Sequence, residues 1–344
     1  MQTQENNLNP NLSAQNFSNL DTTSSSIQIT GVPTYRDYLC DTSDPARLSA
    51  SAFYSQLSQF DNGKLFDRFC KCRSVAAFAR DTSTGLVKVL SSSCHLRFCP
   101  YCNRSRGTMI YKNTTEWLKI AKYSKFCTFT LKHSESPLAE QIDRLYKCFK
   151  DLRRSKWFFE KAHSGIWFFQ VKKSDFDNKW HPHLHCIIDG KYIPLRKLRE
   201  KWHKITTDSN VVDVRMIKDP RKAANYVARY AVKPTDITYL SFDEQLEIHN
   251  AISNRRLCGT WGKCLKLRLT SPPKFESKNY EILGGWQEIL LQVNTNPQAK
   301  AIYMAWLTNQ PINEKIVSFA RNDFAKPPDQ TYNTSEEKRD KFLF

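Results

Sequence analysis

The sequence predicts an α+β protein: an antiparallel β-sheet with helices on one face, joined to a small zinc-binding subdomain. Between residues 126 and 232, strand-like and helix-like stretches alternate in the order β-α-β-β-α-β-α. This alternation favours one sheet covered by helices. Five cysteines lie between Cys70 and Cys102, and closely spaced cysteines are typical of a compact zinc site. The face of the sheet without helices is expected to stay open for a ligand.

Each element of this order has its own signal. Residues 126–131 are apolar and predict a strand, and apolar residues spaced four, three, four and three apart over 138–152 predict an amphipathic helix. Aromatic and β-branched residues predict strands at 165–172 and 183–188, and the second ends in an Asp-Gly turn. The rest follows from similar patterns: a helix over 195–205, a strand over 211–217, a helix starting at Asp219-Pro220, and a turn at 259–262.

Charge and composition narrow the class of function. The chain has 344 residues, with 52 Lys and Arg against 34 Asp and Glu, so its formal net charge is +18. Such an excess favours a polyanionic partner, and 21 Phe, 14 Tyr and 8 Trp are enough for base stacking as well as a core. The chain contains neither a run of 18 apolar residues nor a signal-peptide pattern. The eleven cysteines are therefore expected to remain thiols or bind metal.

The most informative motif is His-Pro-His-Leu-His-Cys-Ile-Ile at 181–188. Alternate side chains of a strand share a face, so His183 and His185 project side by side, and His181 falls on the same face. Two neutral imidazoles on a rigid strand supply two ligands of a divalent-metal site. A lone His-x-His pair is more often an ordinary surface feature, so a second signal is needed.

That signal is Tyr-Val-Ala-Arg-Tyr-Ala-Val-Lys at 226–233. Tyr226 and Tyr230 are four residues apart, so both hydroxyls emerge from one face of a helix, with Lys233 nearby. Beside a metal site in a basic chain, two such phenols suggest nucleophiles for phosphoryl transfer. Packing is the alternative role for Tyr226.

These two motifs resemble the HUH endonucleases that initiate rolling-circle replication, above all the replication initiator (Rep) proteins of small bacterial plasmids. Arg229, Tyr230 and Lys233 fit the plasmid Lys-Tyr-x-x-Lys context, whereas Tyr226 stands where those proteins have a glutamate. Two tyrosines in this spacing are similar to phage initiators of the phi-X type. Residues 126–131 resemble the family's first motif, and the resemblance covers about 70–233.

The resemblance implies the HUH fold and a metal-dependent, origin-specific nickase. Its tyrosine, here Tyr230 with Tyr226 as an open second nucleophile, would join the 5′ end of the cut strand and leave a 3′-OH primer. It also implies Mg²⁺ or Mn²⁺, plasmid origin DNA as a single strand or hairpin, host helicase and polymerase, and the bacterial cytoplasm. Gln170 is the expected third metal ligand, on the strand beside the histidines, with Asp175 and Asp177 as alternatives.

The cysteines predict a structural zinc site. Cys99 and Cys102 form Cys-x-x-C, Cys94 precedes them, and the fourth ligand is Cys70 or Cys72. A two-zinc arrangement with His95, or a set of buried thiols, is the alternative. Four basic residues are candidates for phosphate contacts: Arg97, Arg104 and Arg106 around the knuckle, and Arg229 on the tyrosine helix.

The predicted organisation is a disordered N-terminal tail (1–45), a cysteine-rich zinc subdomain (60–115), the nickase domain (120–272), a region without a predicted role (273–326) and a polar tail (327–344). Two kinds of rival remain. A zinc-containing DNA-binding regulator or RNA-binding protein would explain charge and cysteines but not the paired motifs. An HUH relaxase or transposase would share the chemistry, yet relaxases carry their tyrosine before the histidine strand.

Overall fold

The computed structural model describes residues 32–39, 42–174, 177–232, 236–270 and 279–317, except for the side chains of 230–232. Most of the predicted N-terminal tail and all of the C-terminal polar tail lie outside these residues. The elements in chain order are α1 (Tyr35–Leu39), α2 (Pro45–Asp61), α3 (Lys64–Cys70), β1 (Ala76–Asp81), β2 (Val87–Ser91), α4 (Pro100–Ile120), β3 (Ser124–Thr130), α5 (Leu138–Arg154), α6 (Lys156–Phe159), β4 (Ala162–Lys173), β5 (Trp180–Gly190), α7 (Leu195–Thr206), β6 (Val212–Met216), α8 (Pro220–Val232), α9 (Phe242–Ile252), β7 (Cys258–Gly262), β8 (Tyr280–Gly285), α10 (Trp286–Gln292) and α11 (Pro297–Thr308).

The chain divides into two compact units. The larger unit contains α2, α4 to α9 and the strands β3 to β7. Its described strands form one antiparallel sheet in the order β6-β3-β5-β4-β7, so that the histidine strand β5 is central. The predicted α+β class and the β-α-β-β-α-β-α order are confirmed.

Helices lie on both faces of this sheet, whereas the sequence predicts them on one. On one face, α5 and α7 pack on β3, with the Phe129 ring 5.4 Å from Phe149 and 5.2 Å from Trp202. On the histidine face, α4 and α8 cover the apolar residues Ile166 and Ile187. The reason is that the apolar end of this face needs a cover, since exposed aliphatic side chains are costly.

The tyrosine helix α8 starts where its sequence directs. Pro220 is its first residue, and the Asp219 carboxylate accepts hydrogen bonds from the backbone N–H groups of Arg221 (2.9 Å) and Lys222 (3.1 Å). This is N-terminal capping by an aspartate followed by proline. Ala224 and Val227 are fully buried against the sheet, which fixes the rotation of the helix and leaves Tyr226 at its edge.

The turn predicted at 259–262 is wrong, because these residues form the edge strand β7. Across the β4–β7 pair, Gly165 lies opposite Trp261 and Gly259 opposite Trp167. A Cβ added at Gly165 would lie 2.2 Å from the Trp261 ring, and one at Gly259 would lie 2.7 Å from Nε1 of Trp167. The glycines are therefore needed for two indoles to lie across the strands, and not for a turn.

The smaller unit contains the described sheet β2-β1-β8 with α1, α3, α10 and α11. Its core joins Phe78 of β1 to Trp286 of α10, whose rings stack 5.2 Å apart, and to Ile302 of α11. Residues from the predicted region of unknown role, 273–326, thus complete a core begun two hundred residues earlier. Among the described residues, no helix has the length and apolar character needed to span a membrane.

Candidate active site

The paired imidazoles lie on one face of the central strand with an amide directly opposite. Register pairs His183 of β5 with Gln170 of β4 on one side and with Thr130 of β3 on the other. Directly paired residues of antiparallel strands project from the same face, with Cβ atoms about 5 Å apart. The fold therefore brings together His183, His185 and Gln170, which are 8%, 5% and 8% exposed.

Three polar atoms converge there. Oε1 of Gln170 lies 2.5 Å from Nε2 of His183 and 2.9 Å from Nε2 of His185. Nδ1 of His183 lies 3.1 Å from the carbonyl oxygen of His181. In the tautomer that donates Nδ1–H to this carbonyl, Nε2 presents a lone pair towards Gln170. On the far side of His185, Nδ1 lies 3.3 Å from the Thr128 hydroxyl. Ring nitrogens oriented in this way, with their other nitrogens held by a second group, are typical of metal ligands.

The protonation state of the imidazoles suits a cation. Burial is the main cause that lowers the pKa of His183 to about 4 and the pKa of His185 to about 3. Both rings are therefore neutral at neutral pH, the form that binds a metal. Two neutral nitrogens and an amide oxygen fit a divalent cation such as Mn²⁺ or Mg²⁺.

The tyrosine helix meets this site through Tyr226. The centroid of its ring lies 6.0 Å from the His185 ring and 5.1 Å from the Phe126 ring. Phe126 in turn stacks on His185 at 5.5 Å. Tyr226 is 37% exposed, and the Arg229 guanidinium lies 5.9 Å from the centre of its ring. A phenol and a cation thus stand at the solvent edge of the imidazole pair.

The backbone of Tyr230 belongs to α8, one helical turn beyond Tyr226. Residues four apart on a helix share a face, about 6 Å apart along the axis. The side chain of Tyr230 and all of Lys233 lie outside the described residues.

Two contributors to the site were not found from the sequence. Lys172 stands two residues after Gln170 on β4, hence on the same face, and its charge helps to lower the pKa of both His183 and His185. Thr128 faces His185 across the β3–β5 pair. Both could have been found from the sequence, because each lies on a strand beside the histidine strand, two residues from a position that faces the site.

Asp177, one of the two alternative third ligands, is bonded to a different histidine. The Asp177 carboxylate accepts a hydrogen bond from Nδ1 of His133 at 2.7 Å, and this hydrogen bond is the main cause that lowers its pKa to about 2. The His133 ring also lies 4.4 Å from the His181 ring. Asp175 lies outside the described residues.

Four of the predicted zinc ligands come together. The sulfur atoms of Cys72, Cys94, Cys99 and Cys102 all lie within 4.8 Å of one another, and all four residues are buried. Cys99 precedes α4, Pro100 is the first residue of that helix, and Cys102 lies in its first turn. Four sulfurs at this separation fit a tetrahedral Zn²⁺ with Zn–S bonds of about 2.3 Å.

Two other candidates stand apart from the cysteine group. Cys70 is exposed, and His95 is exposed in a left-handed turn with φ of 56°. The group of four sulfurs includes neither of them.

The four basic candidates for phosphate contacts differ in their partners and exposure. Arg97 donates to the carbonyl of Arg255 at 3.0 Å, and burial lowers its pKa. Arg106 donates to the side chain of Asn103 at 2.7 Å. Arg104 and Arg229 are exposed. Arg97 and Arg106 thus hold hydrogen bonds within the protein.

Comparison with known proteins agrees with these motifs. Residues 87–311, about two-thirds of the chain, match the Rep_1 family model, described as replication protein. A "Protein rep" of Bacillus amyloliquefaciens is 25% identical over 58% of this chain and 71% of its own length. A second "Protein rep", from a Bacillus species, is 24% identical over 58% of this chain and 78% of its own. No solved structure matches significantly. The chain therefore belongs to the Rep_1 family of replication proteins, the plasmid rolling-circle Rep proteins that its histidine and tyrosine motifs resemble.

Proposed function

We propose that this Rep protein initiates plasmid rolling-circle replication by nicking one strand of its origin in a metal-dependent reaction. The observation that supports this best is the convergence of Gln170, His183 and His185 beside Tyr226 of α8. A divalent cation bound by the three ligands would supply charge stabilisation at the scissile phosphate.

The remaining chemistry belongs to the side chains. We assign the nucleophile to Tyr230, whose phenol loses its proton to solvent as its oxygen bonds to phosphorus. The bond between phosphorus and the 3′ oxygen breaks, and that oxygen takes up a proton as the primer 3′-OH. The 5′ phosphate stays on tyrosine, and because a phenolate leaves readily, the strand can be rejoined later.

Neighbouring cations favour this step. A phenol with a pKa of about 10 needs a positive environment to ionise near neutral pH. Arg229 lies over the Tyr226 ring, and Lys172 stands beside the imidazoles. We propose that these two residues also contact the phosphates flanking the cut, together with the exposed Arg104. Tyr226 is then positioned to accept the strand in a second transfer.

The cysteine group has a supporting role in this proposal. We propose that Cys72, Cys94, Cys99 and Cys102 hold a structural Zn²⁺ within a subdomain at 60–115, and that nicking belongs to 120–272. We further propose plasmid origin DNA, as a hairpin or single strand, as substrate in the bacterial cytoplasm, with host helicase and polymerase acting on the freed 3′ end.

The test uses supercoiled plasmid bearing the origin, Mn²⁺ and a denaturing gel. Nicked DNA with covalently attached protein is expected, with the product lost in Tyr230→Phe and retained in the control Tyr192→Phe, whose exposed ring lies outside the site. Loss in Tyr226→Phe alone would reverse the assignment of the two phenols. Retarded but intact DNA under all conditions would refute nicking and favour a DNA-binding regulator.

A further inference from the structure

A group of lysines lies at one end of the sheet in the larger unit. The strands β3 and β4 begin at this end and β5, β6 and β7 finish there, because each neighbouring pair in the order β6-β3-β5-β4-β7 is antiparallel. The two positions that flank each of these strands here contain five lysines in all and one acidic residue, Glu160. Four of the lysines are exposed and Lys161 is half-buried. This group, the lysine rim, consists of Lys122, Lys161, Lys191, Lys218 and Lys263.

Three aromatic side chains are exposed beside the lysine rim. They are Tyr123, Phe159 and Tyr192, which are 66%, 71% and 74% exposed. The chain segments that carry them adjoin one another. The buried Lys125 donates its ammonium to the carbonyls of Tyr123 at 2.7 Å and of Gly190 at 2.6 Å. Gly190 also lies against the carbonyl of Lys161, where an added Cβ would not fit. The rings and the lysines therefore belong to one surface.

The chemistry of this surface fits an unpaired nucleic acid strand. Lysine is depleted at protein interfaces, so a rim with five lysines is unlike a docking surface for another protein. Sites for single-stranded nucleic acid combine cations that follow the phosphate backbone with aromatic rings on which bases stack. A duplex keeps the faces of its bases inside the stack, so it would use the lysines but not the rings. The exposed rings thus favour a single strand.

The lysine rim is separate from the candidate active site. Gly190 lies five residues beyond His185 on β5, and an antiparallel strand rises about 3.4 Å per residue, so the two places are about 17 Å apart along the sheet. We propose that the lysine rim and its three rings bind a single-stranded segment of the origin DNA outside the segment that is cut. The lysines contact phosphates and the rings stack on bases. This inference rests on the proposed action on a DNA strand.

The first test measures the salt dependence of binding without cleavage. Fluorescence anisotropy in EDTA would follow the full-length protein and a labelled thymine strand of about 20 nucleotides, longer than the about 4–16 nucleotides of one such site. Each phosphate contact contributes about 0.7 to the slope of log affinity against log salt concentration. Replacing Lys122, Lys191 and Lys263 by glutamine should therefore lower this slope by about 2 and weaken binding at least about tenfold near 0.15 M salt.

The control for this variant removes the same net charge elsewhere. Lys64, Lys300 and Lys315 are three exposed lysines of the smaller unit. Replacing them by glutamine should leave the slope nearly unchanged. Equal slopes in the two triple variants would overturn the inference, because the affinity would then follow net charge and not this surface.

The second test asks whether the rings bind bases. Phe159→Ala and Tyr192→Ala should each weaken binding of the thymine strand about fivefold or more, the effect of losing one stacked base. Binding of a duplex of the same length should not change. The matched control Tyr192→Phe keeps the ring and should bind the strand as the unmodified protein does. Unchanged strand binding in both alanine variants, or equal losses for strand and duplex, would overturn the inference.

Because neither test involves a nick, two failures can be separated. If the protein nicks its origin but the rim variants bind the strand normally, the binding surface alone is refuted. If strand binding depends on the rim but no nick forms with origin DNA and Mn²⁺, the proposed function alone is refuted.

Discussion

Replacing Gln170 by methionine should remove most of the stabilisation that Mn²⁺ gives this protein. In the unmodified chain, Oε1 of Gln170 faces two imidazole nitrogens at 2.5 and 2.9 Å. Without a cation, the amide oxygen and Nε2 of His183 oppose each other with lone pairs when Nδ1 of that ring donates to the His181 carbonyl, whereas a bound cation would take Oε1 and both Nε2 atoms as ligands. Methionine has a similar length but removes the oxygen, so Gln170→Met should be at least as stable as the unmodified protein in EDTA.

The size of the effect follows from linkage. Loss of an oriented group at a metal site typically weakens binding by 10- to 100-fold. At a Mn²⁺ concentration of about 100 times the dissociation constant, the unmodified protein gains about 2.7 kcal/mol. A variant that binds about 100-fold more weakly gains only about 0.4 kcal/mol. The difference of about 2.3 kcal/mol corresponds to about 5–9 °C in Tm for a domain of this size.

The assay is thermal unfolding in EDTA and in a Mn²⁺ series, with calorimetric titration for the dissociation constants. Gln245→Met is the control, because the same change is made in a buried glutamine whose amide donates to the carbonyls of Ile237 and Leu240. Equal Mn²⁺ stabilisation of Gln170→Met and the unmodified protein would show that the amide is not a ligand. A strong loss of stability in EDTA would show that Gln170 has a purely structural role.

Three further outcomes test other parts of the account. Replacing Cys99 and Cys102 together by serine should lower the zinc content, measured by atomic absorption, from one ion per chain to near zero. The control Cys70→Ser changes an exposed thiol and should leave the zinc content unchanged. Zinc retained in the double variant would contradict the four-cysteine site. Gly165→Ala should lower the free energy of unfolding by about 3 kcal/mol in a urea titration, because its Cβ would lie 2.2 Å from the Trp261 ring and 2.7 Å from a backbone oxygen. In the control Gly285→Ala, the new Cβ would lie 3.4 Å from its nearest atom, so the free energy of unfolding should change little. Burial lowers the pKa of His249, so the neutral ring contributes to folding stability above the unfolded pKa of about 6.5, and this contribution is lost as pH falls below that value. His249→Phe should therefore gain stability relative to the unmodified protein as pH drops from 8 to 5.5. A stability difference that does not depend on pH would refute this.

Local sequence pattern predicted much of the larger unit. The apolar spacing over 138–152 predicted α5, Asp219-Pro220 predicted the start of α8, and the period of two predicted a shared face for His183 and His185. Each depends on residues close in sequence. Gln170 was expected from the ligand position that the family resemblance implies, and the register of the consecutive strands β4 and β5 pairs it with His183.

The features that the sequence did not predict depend on contacts between residues far apart in the chain. The residues at 259–262 look like a turn until Trp167 and Trp261 are seen lying across from their glycines. The second sheet joins β1 to β8, two hundred residues later, and no local signal predicts that pairing. The choice between Cys70 and Cys72 likewise depended on which thiol turns inward after α3.

The residue that becomes linked to DNA decides whether a phenol beside the paired imidazoles cuts the strand. Arg229 lies between the two phenols, so trypsin places Tyr226 in the peptide 223–229 and Tyr230 at the start of the next one. After nicking, nuclease trimming and trypsin digestion, mass spectrometry should find a nucleotide on the peptide that begins with Tyr230. A nucleotide on 223–229 would move the nucleophile to Tyr226 within the same helix. A nucleotide on a residue outside α8, or no adduct with origin DNA and Mn²⁺, would contradict cleavage by a phenol beside the paired imidazoles.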